Sequence, residues 1–181
     1  MKAAIALFDE QGYDATTVAE IAERAGLTKR TFFRHFADKR EVLFSGSELL
    51  EQCWLEGIAA APADADPLAT VAAGFDPVAQ MFAERHAFAG LRARIVLTNL
   101  ELQERELIKL HKLAETVKGA LLARGVPEHA ATLAAHSGLT VFHVAFAHWV
   151  RQDDPTRFRA LLDESLAELR SVAAGAAAAG H

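Results

Sequence analysis

One cysteine, Cys53, stands in the whole chain, which rules out an internal disulfide framework and a cysteine-only zinc cage and suits a reducing compartment. Long apolar runs are missing too: the longest cover a few residues, against the roughly 20 that a bilayer-crossing helix requires. The first 25 residues mix acidic and basic groups through a helical pattern, with no apolar core leading to a small-residue cleavage site, so no export signal is expected. Period-two alternation is absent, which argues against strands. So is an excess of positive charge: 19 Lys and Arg against 24 Asp and Glu give −5, and the molecule as a whole is no generic binder of polyanions. Catalytic signatures are lacking in the same way. No P-loop, G-x-G-x-x-G, G-x-S-x-G or H-E-x-x-H occurs, and Cys53 has no local activating motif. Among the eight histidines only His111 has an acid four residues on, Glu115. The expectation is a soluble cytoplasmic protein that is not an enzyme, with no catalytic residue, metal or cofactor.

What is present is helical patterning and one local concentration of charge. With 181 residues, 51% of them apolar, the chain has enough material for one or two small domains. Ala4, Ile5 and Phe8 make one face of a first helix that stops near Gly12. Val18, Ile21, Ala22 and Ala25 follow helical spacing behind a Thr17/Glu20 capping box. Gly26 breaks the chain, Thr28 caps a third helix running to about Phe36, and Asp38 with Glu41 opens a fourth that can continue through Leu49, Leu50, Trp54 and Ile58. Residues 61–67, with Pro62 and Pro67, read as a linker, and Pro77 divides the helical region after it. Further helices are expected over about 77–84, 87–98, 100–124, 128–152 and 156–172, then a low-complexity tail. The fold class is all-α: an N-terminal three-helix helix-turn-helix unit at 1–45, a larger helical bundle at 46–174, and a tail at 175–181.

The informative stretch is 17–39. Ala22, small where two helices cross, and Gly26, tolerant of positive φ in the turn, lie four apart as a helix-turn-helix needs, with Ile21, Leu27 and Phe32 expected as the shared core. Residues 28–40 carry Lys29, Arg30, Arg34, Lys39 and Arg40 against Asp38 alone, a net +4 beside His35, although residues 1–45 together are neutral. Lys29, Arg30 and Lys39 all fall at helix beginnings, where the macrodipole disfavours a cation by about 0.3–1 kcal/mol. Such placement makes sense if phosphate oxygens meet those helix ends, since backbone N–H groups and cationic side chains both favour them there.

Between residues 3 and 43 the sequence resembles the tetracycline-repressor (TetR) family of bacterial transcription regulators. The likeness rests on Ala3-Ala4, Leu7-Phe8, Gly12-Tyr13, Thr17, Ile21-Ala22, Ala25-Gly26-Leu27-Thr28, Thr31-Phe32-Phe33, His35-Phe36 and Lys39. The resemblance implies that Thr17 and Thr28 cap their helices against phosphates and that Lys29, Arg30 and Thr31 read base edges in the major groove. Arg30 would donate two bonds to guanine. Phe33 stands where the family often has Tyr and offers only apolar contact, and His35 and Lys39 would grip the DNA backbone. Phe32 and Phe36 are expected in the core. Family members usually carry a longer first helix behind a basic arm; here that start is either truncated or absent, and weaker phosphate contact is expected.

A regulator of this kind acts as a homodimer on a palindromic double-stranded DNA operator, with half-sites about 34–36 Å apart or a multiple of that. Ala134, Gly138, Val141 and Ala145, with Phe158, Leu161, Leu162, Leu166 and Leu169, are the expected interface, unless these stripes face the chain's own core. For a small, largely hydrophobic effector the pocket candidates are Leu50, Trp54, Phe82, His86, Arg94, Asn99, His136, Thr140, Phe142, His143 and Phe146. The fourth helix, carrying both Lys39 and Trp54, would transmit effector binding to the DNA and release it. Repression is favoured by analogy, and membrane association is not expected. The alternatives are a helical ligand-binding or adaptor protein without DNA binding and a small enzyme.

Overall fold

The computed structural model describes residues 1–175. Of the anticipated tail only Gly175 is among them; 176–181 lie outside the described residues. The described chain is all-α, with no strand: α1 (Lys2–Gln11), α2 (Val18–Arg24), α3 (Lys29–His35), α4 (Lys39–Leu43), α5 (Ser47–Ala60), α6 (Pro67–Ala72), α7 (Phe75–Ala83), α8 (His86–Leu97), α9 (Leu100–Ala123), α10 (Glu128–Trp149) and α11 (Phe158–Ala173), with a 3-10 turn (Pro155–Arg157) before the last.

Local chemistry accounts for the helix ends. The Thr17 side chain accepts from the Glu20 amide at 3.3 Å while the Glu20 carboxylate accepts from the Thr17 amide at 2.7 Å, the reciprocal capping box. Helix α2 closes in a Schellman turn: Gly26, at φ +68°, donates to the Glu23 carbonyl and Leu27 donates to the Ala22 carbonyl at 2.8 Å. Thr28, Asp38 and Asp66 accept from amides in the first turns of α3, α4 and α6.

Two expected helix boundaries are corrected. The fourth helix does not run on to Ile58: α4 stops at Leu43 and α5 begins at Ser47. The hydroxyls of Ser45 and Ser47 donate to the carbonyls of Val42 and Phe44, and Gly46 between them disfavours helix, so the backbone takes a turn there. Lys39 and Trp54 therefore sit on different helices. Nor does Pro77 divide the next region. It lies in the first turn of α7, where a missing N–H costs no intrahelical bond, and the break falls at Ala73-Gly74.

The chain forms two compact units. The first comprises residues 1–48 and 87–109, so it includes α8 and the start of α9 as well as α1–α4. Its core is built from Ile5, Phe8, Tyr13, Ile21, Phe32, Val42 and Phe44 with Ile95, Val96 and Leu102. Leu27 is corrected out of that core: it follows the left-handed Gly26 at the tip of the turn and is 45% exposed.

The second unit comprises residues 49–86 and those from 110 onward. Here α10 packs on α6 and α11, and α11 on α7. Ala134, Gly138, Val141 and Ala145 are buried in this core, as are Phe158, Leu161, Leu162 and Leu166, with Leu169 half-buried. The surface expected to meet a second copy is thus consumed inside the chain, because its small residues admit α6: a Cβ on Gly138 would lie 2.3 Å from a Val71 methyl. By length and composition alone α10 could cross a membrane, but its apolar side is occupied by these neighbours.

Glycine substitutions test this packing. A Cβ on Gly57 would lie 2.3 Å from the Ala73 carbonyl oxygen and 2.4 Å from the Gly74 Cα, backbone that cannot swing aside. Gly57→Ala should cost about 3 kcal/mol in urea unfolding. Gly119, inside α9 with nothing within 4 Å of its Cβ position, should give the opposite sign on mutation to Ala, a gain of about 0.5–1 kcal/mol.

Candidate nucleic-acid interface

Helices α2 and α3 meet at the Schellman turn, and the exposed beginning of α3 carries the candidate contacts. The Thr28 hydroxyl accepts from the Thr31 amide at 3.1 Å and lies 3.0 Å from the Thr31 hydroxyl. Lys29 and Arg30 are exposed and make no hydrogen bond or ion pair within the described residues. Phe33 is 55% exposed, its ring set edge-on against the buried Phe32 at 5.5 Å. His35 is exposed beside Arg34, 3.5 Å from its guanidinium, and Phe36 is half-buried against Phe32. Thr17 is exposed at the start of α2. Arg24, at the end of α2, is tied to Glu10 by two bonds of 2.5 and 2.6 Å. Lys29 and Arg30 of α3, by contrast, are uncommitted.

Lys39 is placed differently from Lys29. It is half-buried, and its ammonium donates to the carbonyls of Tyr13, Thr16 and Asp14 at 2.7, 3.0 and 3.3 Å while lying 4.3 Å from the centre of the Tyr13 ring. In this arrangement no N–H remains for a DNA phosphate.

The rest of α4 is held by charge. Arg40 bonds Asp38 and Glu101, and Glu41 accepts from Arg105 at 2.5 and 2.8 Å and from Lys109 at 3.2 Å. At the end of α4, Arg92 donates to the Leu43 carbonyl at 2.8 Å, pairs with Glu106 at 2.7 Å and covers the Phe44 ring. Sequence reasoning missed this set. The signal available was the spacing of Glu101, Arg105 and Lys109, four apart on one helix, though nothing local names Arg40 and Glu41 as their partners.

The pocket candidates divide. Trp54, Phe82, Phe142 and Phe146 come together with Phe75, Trp149 and Phe158 in one aromatic cluster, with Trp54 5.6 Å from Phe75 and 6.2 Å from Phe142. The Trp54 indole is fully buried and its N–H has no partner. His86 stacks edge-on to Trp149 at 4.5 Å, and Leu50 is half-buried. His136, Thr140 and His143 are exposed on the outer face of α10, beside the exposed Leu133 and Val144. Arg94 and Asn99 are corrected: both lie in the first unit, Arg94 paired with Asp9 at 3.8 Å and Asn99 donating to Asp14 at 3.1 Å, because α8 and the start of α9 pack with the N-terminal helices.

Two short helices joined by a tight turn, the second beginning with exposed and unpaired cations, define a helix-turn-helix protein. Residues 1–45 match the family described as "Bacterial regulatory proteins, tetR family". The chain is 38% identical over 78 residues to the HTH-type transcriptional regulator TcmR of Streptomyces glaucescens, a stretch that is 43% of this chain and 34% of that protein. It thus spans about a third of the length of this curated relative. Among solved structures it is similar to FadR of Thermus thermophilus, a TetR-family transcriptional repressor in complex with lauroyl-CoA: 26% identity, TM-score 0.57, over 99% of this chain and 94% of that one. The TetR-family regulator PfmR, also from Thermus thermophilus, shares the fold at 24% identity and TM-score 0.50, over 92% and 96% of the two chains.

The charges around α4 give a pH signature. Burial raises the Glu41 carboxyl, but hydrogen bonds from Arg105 and Lys109 outweigh it and hold the group below its ordinary value. A depressed carboxyl stabilises the fold above its unfolded value, about 4.3, and the contribution is lost as the pH falls through the folded one. The difference in urea midpoint between the wild type and Glu41→Gln should therefore close on acidification below about pH 4. A difference that persists into acid would show that the carboxylate's charge is not what Arg105 and Lys109 hold.

Proposed function

We propose that this chain is a ligand-responsive transcription regulator, a repressor that binds a palindromic duplex as a homodimer and leaves it when a largely apolar effector binds. The observation that carries the reading is the first turn of α3, where Lys29 and Arg30 stand exposed without a counter-charge behind the Thr28 cap. Folding alone favours acids there; a phosphate chain reverses the preference. In the bound state Lys29, Arg30 and Thr31 face base edges, with Phe33 in apolar contact and Thr17, Thr28 and His35 near the backbone.

The aromatic cluster around Phe82 supplies the apolar surroundings for an effector, and the lauroyl-CoA seen with Thermus thermophilus FadR supports a ligand with an extended hydrocarbon part. The outer face of α10, with exposed Leu133, His136, Thr140, His143 and Val144, is the surface proposed for a second copy. Since α4 and α5 are separate helices, the effector's influence does not travel along one rod from Trp54 to Lys39. The salt-bridged side of α9, carrying Glu101, Arg105 and Lys109, is the route proposed in its place. An effector shifts DNA affinity only by the difference in its own affinity for the two conformations.

Selection from a random duplex library should return a palindrome, bound with a log–log salt slope of several units. Arg30→Ala should cost about 1–3 kcal/mol of discrimination at one position of each half-site. Equal, salt-insensitive association with every duplex, or none, would instead favour a helical ligand-binding or adaptor protein.

A further inference from the structure

We infer that Lys39 is a positioning residue, which fixes the segment leading into α2 and so delivers Thr17 and the helix-turn-helix to the duplex without touching a phosphate itself. The inference rests on the duplex-binding reading above, and assigns one of its cations a different task. An ammonium has three N–H donors, and those of Lys39 are matched by three carbonyls, of Tyr13, Thr16 and Asp14, at 2.7, 3.0 and 3.3 Å. All three acceptors belong to the short connection between α1 and α2. The Tyr13 ring beneath the ammonium, 4.3 Å away, adds a cation–π contact.

The anchored segment leads directly into the cap of α2. It begins at Gly12 with φ +87°, and Thr16, 1% exposed, donates its hydroxyl to the Gly12 carbonyl at 2.7 Å. The next residue, Thr17, is the cap of α2. Three carbonyls of this connection are directed to one point and share a single multivalent donor, Lys39, which reaches them from 23 to 26 residues away in sequence. Drawing Lys39 out to a phosphate would leave those carbonyls without their cation. Lys29, by contrast, is exposed with no partner to give up.

Lysine footprinting on the wild-type protein separates the two roles. With an amine-acylating reagent and mass spectrometry, Lys39 should react slowly whether or not the selected palindromic duplex is present, while Lys29 should react fast alone and slowly in the complex. Salt titrations provide the second arm. Lys39→Met should lower duplex affinity by about tenfold with the salt slope unchanged, since charge-assisted bonds inside the protein are lost and no phosphate contact is. Lys39→Arg, which can donate to the same carbonyls, should recover most of the affinity. The inference is overturned by a Lys39 that is reactive in the free protein and shielded by duplex, by a slope reduced by about one in Lys39→Met, or by an affinity that does not change. Failure of the underlying reading looks different: the wild-type protein binds no duplex in a salt-dependent way before any variant is compared.

Discussion

Helix α4 is five residues long, far too short to hold a helix by propagation of its own hydrogen bonds, and its geometry is imposed from outside by charge. Asp38 holds its first amides, Lys39 ties it to the α1–α2 connection, Arg40 and Glu41 tie it to α9, and Arg92 takes a carbonyl at its end. Every long polar side chain on the helix is committed to another element of the first unit. Beneath this polar frame Val42, Leu43 and Phe44 enter the core with Phe8 and Phe32. The apolar contacts supply burial without direction, and the directed ionic bonds set how the helix-turn-helix is held. The pairs of Glu41 with Arg105 and Lys109 and of Arg92 with Glu106 are half-buried, so solvent screens them less than it screens an exposed pair such as Arg40 with Glu101.

The contrast between Lys29 and Lys39 follows from this frame. Both residues open a short helix and both would be disfavoured there by the dipole. Lys39 has a concave set of carbonyls within reach, so its charge is absorbed; Lys29, at the tip beyond the Schellman turn, has only solvent. Arg24 shows a third outcome, a fork of bonds to Glu10 that stiffens the base of α2. The cation-rich stretch is thus divided by geometry into groups that bind inward and groups left facing out.

Features set by bonds of short sequence reach were legible beforehand. Thr17 with Glu20, Thr28, Asp38 and Gly26 each act on backbone within a few residues, and the helix-turn-helix and the all-α class followed from them. The α4–α5 break was hidden because Leu49, Trp54 and Ile58 continue the apolar period across it, while the opposing signal, two serine hydroxyls around a glycine, is weak. Arg94 and Asn99 were misplaced because their setting depends on which helices pack together, and Asp9 and Asp14 lie 85 residues before them. The stripe of Ala134, Gly138, Val141 and Ala145 was read as a smooth surface for a second copy, but smoothness alone does not say whether α6 or another molecule approaches it.

The composition of α10 has a consequence for biosynthesis. Its cover comes from two sides: α6, made some sixty residues earlier, and α11, among the last parts of the described chain to leave the ribosome. Until α11 emerges, the apolar side of this 22-residue segment is shielded on one side only. Arresting translation ahead of Phe158 would leave it in that state, so the last described helix is the element that completes the cover of α10.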